Sequence, residues 1–145
     1  LAELKPHVGE EVAVSDWTVI AQPQVNQFAD ATHDHQWIHV DPEKAAAGPF
    51  GGPIAHGFLT LSLMPWFFES SFEVTSVRMG VNYGLNKVRF TAPVPVGSRV
   101  RARMSLLAAE PIANGGMQLT WNVTVEREGG DKPCCVAEAL VRLYA

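Results

Sequence analysis

The sequence predicts an α+β domain in which an antiparallel sheet curls around a central helix. Helical patterns occupy the first half of the chain, whereas alternating apolar and polar residues, typical of strands, occupy the second half. The most apolar stretch, residues 57–68, would be apolar on every side of a helix, and such helices are normally buried. Because it would be only about 18 Å long, it is too short to cross a bilayer. We therefore expect the sheet to wrap around it.

Length, charge and cysteine content narrow the class of protein. A chain of 145 residues can bury its own core, so we expect residues 1–145 to form one domain. The net charge of -4 argues against nucleic acid as the main partner. The sequence shows no basic stretch followed by an apolar stretch, so no secretory signal is visible. Cys134 and Cys135 are adjacent in the chain, which disfavours a disulfide bond between them. These features predict a cytoplasmic protein without a membrane-spanning segment.

The first half of the chain carries clear signals for helix starts. Residues 12–14 alternate as a short strand would, and Pro23 then suits the first turn of a helix that leaves Asp30 on its solvent side. A loop is expected over residues 33–39. A second, short helix should follow, because Asp41 is a good N-cap and Pro42 a good first residue.

The second half of the chain is predicted to supply the sheet. Pro65 lies inside the apolar stretch and should kink the central helix, because proline removes one backbone hydrogen bond. Residues 70–84 are expected to be loop with some strand. The period-two pattern then predicts strands over residues 85–91, 98–107, 117–126 and 135–143.

Two aspartate and histidine pairs with the same spacing precede the apolar stretch. They are Asp30 with His35 and Asp34 with His39. Asp30 falls on the wet side of its helix, whereas His39 lies between two apolar residues, so we favour Asp34 and His39 as the working pair. A carboxylate and an imidazole can together bind a water molecule and move its proton near neutral pH. A surface aspartate beside a structural histidine remains the alternative.

The start of the central helix offers a second chemical feature. The first N–H groups of a helix lack partners and carry partial positive charge, so Gly57 could let a carbonyl oxygen approach and stabilise negative charge on it. Gly57 could instead serve close packing alone. Ser62, further along, could hydrogen-bond a carboxylate of the loop or return to the Phe58 carbonyl.

A metal site is the competing interpretation of the same loop. His33, His35 and His39 are three histidines within seven residues, and three histidines can bind zinc. Proteins that place closely spaced histidines around a metal usually carry them on a strand, whereas here a helix precedes them and a buried helix follows. The sequence therefore favours a site without metal.

Several motifs together resemble the MaoC-like dehydratases, a family that includes the (R)-specific enoyl-CoA hydratases. They are the D-x4-H-x-D pattern from Asp34 through His39 to Asp41, and the F-G-x-x-I-A-H-G pattern from Phe50 to Gly57. The residue sequence from Gln36 to His39 is similar to that of the nodulation protein N-like branch of the family. The resemblance covers nearly the whole chain.

The resemblance implies a hotdog fold, a homodimer, and addition of water to a trans-2-enoyl-CoA to give an (R)-3-hydroxyacyl-CoA, or the reverse. It assigns water activation to Asp34 and His39, polarisation of the thioester carbonyl to the Gly57 amide, and loop support to Ser62. The residues expected to bind the substrate are Gln36, Ile54, Ala55 and His56. The resemblance implies no metal or redox cofactor. CoA is part of the substrate and is not a cofactor of the protein.

The sequence departs from the family pattern in the loop. His33 replaces a frequent glycine, and Gln36 and Trp37 stand where many members have asparagine and proline. These changes bear on rate and substrate range more than on the class of reaction. A hotdog thioesterase and a non-catalytic acyl-CoA-binding subunit are the alternative functions.

Overall fold

The computed structural model describes residues 1–145 and contains one six-stranded antiparallel sheet that curves around a pair of helices. The strands run in the order β1-β4-β5-β6-β3, and β2 also pairs with β4. The α+β class with a hotdog fold is thereby confirmed. After a 3-10 helix at Ala2–His7, the elements are β1 Glu11–Val14, β2 Thr18–Val19, α1 Gln22–Thr32, α2 Trp37–Val40, α3 Pro42–Ala46, α4 Gly57–Ser62, α5 Met64–Ser71, β3 Met79–Arg89, β4 Arg99–Ile112, β5 Gly116–Arg127 and β6 Cys135–Tyr144.

The concave face of the sheet carries the core. Along β5 the alternate residues from Met117 to Val125 are buried, and Trp121 at the middle packs against Phe68 and Phe72 of the helical layer. Irregular pairing between Leu106 and Ala108 of β4 adds a local bend to the sheet. The strict alternation of the sequence therefore produces one face that can enclose a helix.

The central apolar stretch is two helices rather than one kinked helix. The chain breaks at Leu63, between α4 and α5, and Pro65 lies in the first turn of α5. Proline is tolerated there because the first N–H groups of a helix have no helical acceptor. The disturbance predicted next to Pro65 is therefore present, as a break between two helices and not as a kink within one. No helix of the chain is long and apolar enough to span a membrane.

The central helices are also less enclosed than the sequence predicts. Leu59, Met64 and Phe67 are buried against the sheet, but Phe58 is 66% exposed and Trp66 is 44% exposed. A single chain covers only one side of a helix that is apolar all round. Residues of α4 and α5 line an open cavity together with residues of β3, the strand at one edge of the sheet.

The other differences concern element boundaries. The strand predicted from residue 85 begins at Met79, within the segment expected to be mainly loop, and ends at Arg89. The strand predicted over 98–107 runs on to Ile112. The loop over 33–39 contains the start of α2, whereas Asp41 caps α3 as expected, accepting a hydrogen bond from the Lys44 amide. The boundaries of these elements depend on hydrogen bonds to neighbouring strands and turns, and those bonds cannot be predicted from the local residue pattern.

Candidate active site

A short turn brings Asp34 and His39 together. α1 ends at His33, which adopts a left-handed backbone with φ of 66°, and the chain reverses direction there. The Asp34 Oδ1 then accepts a long hydrogen bond of 3.4 Å from the Gln36 amide. The following turn of helix, α2, carries His39 back toward Asp34. This turn therefore brings together the two side chains of the D-x4-H motif, which an extended chain would hold apart.

The His39 imidazole is fixed in position and in tautomer. Its Nδ1–H donates to the Ile54 carbonyl at 2.7 Å, which leaves Nε2 as a free acceptor. Its own carbonyl accepts a 2.8 Å hydrogen bond from the Gln22 side chain. Burial lowers the pKa of His39 below 6.5; the His56 ring lowers it further, while the bond to Ile54 and the Asp34 carboxylate oppose the shift. The ring is therefore neutral at pH 7 and able to accept a proton.

A polar cluster surrounds this ring. A carboxylate oxygen of Asp34 and one ring nitrogen each of His39 and His56 lie within 4.8 Å of one another. Because hydrogen bonds to water are about 2.8 Å long, one water molecule can touch both the Asp34 carboxylate and the His39 ring. The same three side chains are the ones that could hold a metal ion.

A third histidine, His56, contacts both members of the Asp34 and His39 pair. It is buried, its Nε2–H donates to the Asp34 carbonyl at 3.0 Å, and its ring stacks on His39 with centroids 3.9 Å apart. Phe28 packs on the His56 ring at a centroid distance of 4.9 Å. His56 was expected to bind substrate, but it does not line the adjoining cavity. It contacts both members of the candidate pair instead.

A cavity of about 330 Å³ opens beside His39. Its wall includes Ile54 and Ala55, two of the residues expected to bind substrate, and Gly57 at the start of α4. The Ala55 amide donates to the Val94 carbonyl at 2.8 Å, which holds this part of the wall in place. The cavity is thus a mainly apolar space with His39 at its edge.

Gly57 combines the two roles that the sequence left open. Its N–H donates to no backbone acceptor, so the donor is available in the cavity wall. A Cβ at this position would lie only 2.7 Å from the Phe90 ring, so close packing also requires glycine. The absence of a side chain serves both purposes at once.

Two expected site residues lie elsewhere. The Ser62 hydroxyl donates to the Phe58 carbonyl at 2.6 Å, and Ser62 lines a different cavity, between α4, α5 and the edge strand β3. Of the two hydrogen bonds that the sequence left open for Ser62, the structure therefore shows the local one, to the Phe58 carbonyl. Gln36 is exposed, and its side chain is outside the cavity beside His39.

The three loop histidines of the metal interpretation do not come together in the structure. His35 Nε2 lies 2.9 Å from the Asp30 carboxylate, and this pair is exposed on the surface. His33 is exposed at the end of α1. The three histidines of the metal interpretation are thus separated among a helix cap, a surface pair and the cavity.

The sequence did not indicate that Thr60 and Cys134 belong to the candidate site, yet both line its cavity. Thr60 is buried, and its hydroxyl has no hydrogen-bond partner. Its position three residues after Gly57, on the same face of α4, is the signal that could have identified it. Cys134 is a free, buried thiol, and burial raises its pKa to about 11. Cys134 is therefore protonated at neutral pH and is not a thiolate nucleophile.

Comparison with known proteins agrees with this geometry. The family model described as a MaoC like domain matches residues 3–127. The chain belongs to the MaoC-like dehydratase family. Among its relatives in the family, 3-hydroxyacyl-thioester dehydratase Z of Mycobacterium tuberculosis is 59% identical over 145 residues, covering 100% of this chain and 96% of that protein.

A second relative comes from the nodulation protein branch of the MaoC-like dehydratases. Nodulation protein N of Rhizobium leguminosarum is 46% identical over 139 residues, covering 94% of this chain and 86% of that protein. Among solved structures, the (R)-hydratase from A. caviae involved in PHA biosynthesis superposes with a TM-score of 0.71 and 26% identity, covering 92% of this chain and 94% of that one. Family and fold therefore agree with the resemblance read from the sequence.

Proposed function

We propose that this MaoC-like protein is a hydratase and dehydratase that interconverts trans-2-enoyl-CoA and (R)-3-hydroxyacyl-CoA. The observation that carries the proposal is the neutral, tautomer-fixed His39 next to the Asp34 carboxylate, at the edge of a cavity that also exposes the Gly57 amide. The name of the Mycobacterium tuberculosis relative, a 3-hydroxyacyl-thioester dehydratase, supports the same reaction class.

In hydration, Asp34 accepts a hydrogen bond from the water and His39 Nε2 removes its proton as the oxygen bonds to C3 of the enoyl group. Electron density moves from the C2–C3 double bond onto the thioester oxygen, where the Gly57 N–H stabilises it. The imidazolium of His39 then returns a proton to C2. Water and the thioester supply every atom of the product, so the proposal includes no metal or redox cofactor.

The deciding experiment follows the loss of enoyl-CoA absorbance across acyl chain lengths, with release of free thiol measured in parallel. Hydration without thiol release is expected. Thiol release from acyl-CoA would identify a thioesterase, and binding of CoA esters without either reaction would identify a non-catalytic subunit. In the reverse direction, only the (R)-3-hydroxyacyl-CoA should be dehydrated. Dialysis against a metal chelator should leave the rate unchanged.

We also propose that the protein acts as a homodimer. β3 is an eleven-residue edge strand, and its apolar side chains from Met79 to Leu85 are exposed. An edge of this kind can pair with a second copy. Phe58 and Trp66 are exposed, and residues of α4, α5 and β3 together line the cavity near Ser62. Light scattering should give twice the 15.8 kDa mass of the chain. A monomer at working concentrations would contradict this part of the proposal.

A further inference from the structure

The hydroxyl of Thr60 is a buried polar group without a partner. Only two buried side-chain polar atoms of the chain lack a hydrogen bond, Nδ1 of His56 and Oγ1 of Thr60. Thr60 is 2% exposed and lines the cavity that His39 and Gly57 share, whereas His56 does not. A buried hydroxyl without a partner destabilises the folded protein, so its presence in a candidate site calls for a ligand.

The other hydroxyls of the helical layer behave differently. Those of Ser62, Ser70 and Ser71 each donate to the carbonyl four residues earlier, at 2.6, 2.7 and 2.5 Å. For Thr60 the equivalent carbonyl belongs to His56, and that oxygen already accepts from the Leu59 and Thr60 amides. The hydroxyl of Thr60 does not make the local bond that its neighbours make. No protein group therefore uses this hydroxyl as a partner.

Helix geometry directs the Thr60 side chain toward Gly57. Residues three apart lie on the same face of a helix, and each Cα–Cβ bond leans toward the helix N-terminus. The Thr60 side chain accordingly leans over the turn that begins at Gly57. Both residues also line one cavity with His39, so Thr60 belongs to the same wall as the Gly57 amide.

We propose that Thr60 Oγ1–H donates a hydrogen bond to the carbonyl oxygen of the bound acyl thioester, next to the Gly57 amide. This inference rests on the proposed hydration reaction. The thioester oxygen gains negative charge when water adds to C3 and loses it when the proton returns to C2. A donor at that oxygen stabilises the charge where it develops, so Thr60 contributes to the rate as well as to binding.

Thr60→Val tests the proposal, because valine has nearly the shape of threonine but no hydroxyl. We expect kcat/KM for hydration to fall by about 10- to 100-fold, mainly through kcat. The thermal midpoint of this variant should be unchanged or higher, because a buried unpaired hydroxyl has been removed.

Thr60→Ser should show the opposite pattern. It keeps the donor, so most activity should remain, but it loses a buried methyl group and should melt at a lower temperature. Ser70→Ala, which removes an exposed hydroxyl of α5 outside this cavity, is the matched control and should keep wild-type kinetics. A purely structural role for Thr60 would instead make activity follow thermal stability in the two threonine variants.

Calorimetric titration with butyryl-CoA, a saturated ester that cannot be hydrated, separates this inference from the proposed function. Weaker binding by Thr60→Val than by wild type supports the contact even if the wild-type protein hydrates no enoyl-CoA. Wild-type turnover and wild-type binding by Thr60→Val would overturn the inference and leave the hydratase proposal standing. Absence of both binding and hydration in the wild-type protein would overturn the two together.

Discussion

The segment from the last turns of α1 through α2 contains two aspartate and histidine pairs with the same five-residue separation but different surroundings. Asp30 and His35 are in direct contact at 2.9 Å, with side chains 77% and 52% exposed. Asp34 and His39 are joined less directly, within 4.8 Å, but His39 is buried and its Nδ1–H is held by the Ile54 carbonyl. The closer pair is the one on the surface.

The difference shows that spacing and contact alone do not make a proton-transfer site. An exposed ion pair contributes little, because water competes for both partners. A buried imidazole with one nitrogen fixed to a backbone carbonyl has a defined tautomer and a lowered pKa, so its other nitrogen is a ready base. The environment of His39, supplied by Ile54 and His56, separates the two pairs.

The largest expected effect is on the buried pair. Asp34→Asn and His39→Gln should each lower kcat/KM for enoyl-CoA hydration by roughly 10²- to 10⁴-fold, because each removes a group that moves or binds the reacting proton. Asp30→Asn and His35→Gln, with the same chemistry at the surface, are the matched controls and should stay within about twofold of wild type.

Circular dichroism and thermal melting would verify that all four variants of these pairs are folded. Near-normal turnover by either variant of the buried pair would remove that residue from the mechanism. A loss of activity equal in the two pairs would contradict the distinction drawn between them.

Gly57→Ala should have the next largest effect. The added methyl group would lie 2.7 Å from the Phe90 ring, so either the ring or the start of α4 must move. We expect about a tenfold to hundredfold loss of kcat/KM, because displacing the amide weakens its contact with the thioester oxygen. The double variant Gly57→Ala with Phe90→Leu should recover thermal stability if the clash with the ring is the cause. A wild-type rate for the single variant would show that the amide position is not critical.

The pH dependence of kcat/KM tests the environment of His39 without a change of sequence. Because burial lowers the pKa of His39, the neutral form persists below pH 6.5, and kcat/KM should be flat there before it falls about tenfold per pH unit on the acidic side of the lowered pKa. Asp34 opposes this shift, so Asp34→Asn should move the acidic limb to still lower pH. An acidic limb centred above pH 6.5 in the wild-type enzyme would argue against His39 as the base.

The smallest effect is expected at Ser62. Ser62→Ala removes a hydroxyl that returns to the Phe58 carbonyl and does not reach the loop, so kcat/KM should change by less than about threefold. Steady-state kinetics would measure this directly. A loss comparable with that of Asp34→Asn would mean that Ser62 acts on the loop in the working protein, as the sequence had led us to expect.

Regular patterns in the chain were predictable, whereas boundaries and breaks were not. The alternation along β5 depends only on neighbouring residues facing opposite sides of a sheet, and its burial follows that pattern closely. The early start of β3 at Met79 and the late end of β4 at Ile112 depend on pairing with the segments around Tyr144 and Gly116. Local sequence does not contain the positions of those segments.

The candidate site divides in the same way. The sequence alone determined which groups could do chemistry, because a carboxylate and an imidazole can exchange protons, and the start of a helix offers free N–H donors, in any fold. Only the tertiary structure decided that His39 is pinned by Ile54, that His56 supports the pair, and that Thr60 lies unpaired in the cavity wall. These facts depend on which surfaces are excluded from water and which backbone carbonyls come within reach, and both are set by contacts between residues far apart in the chain.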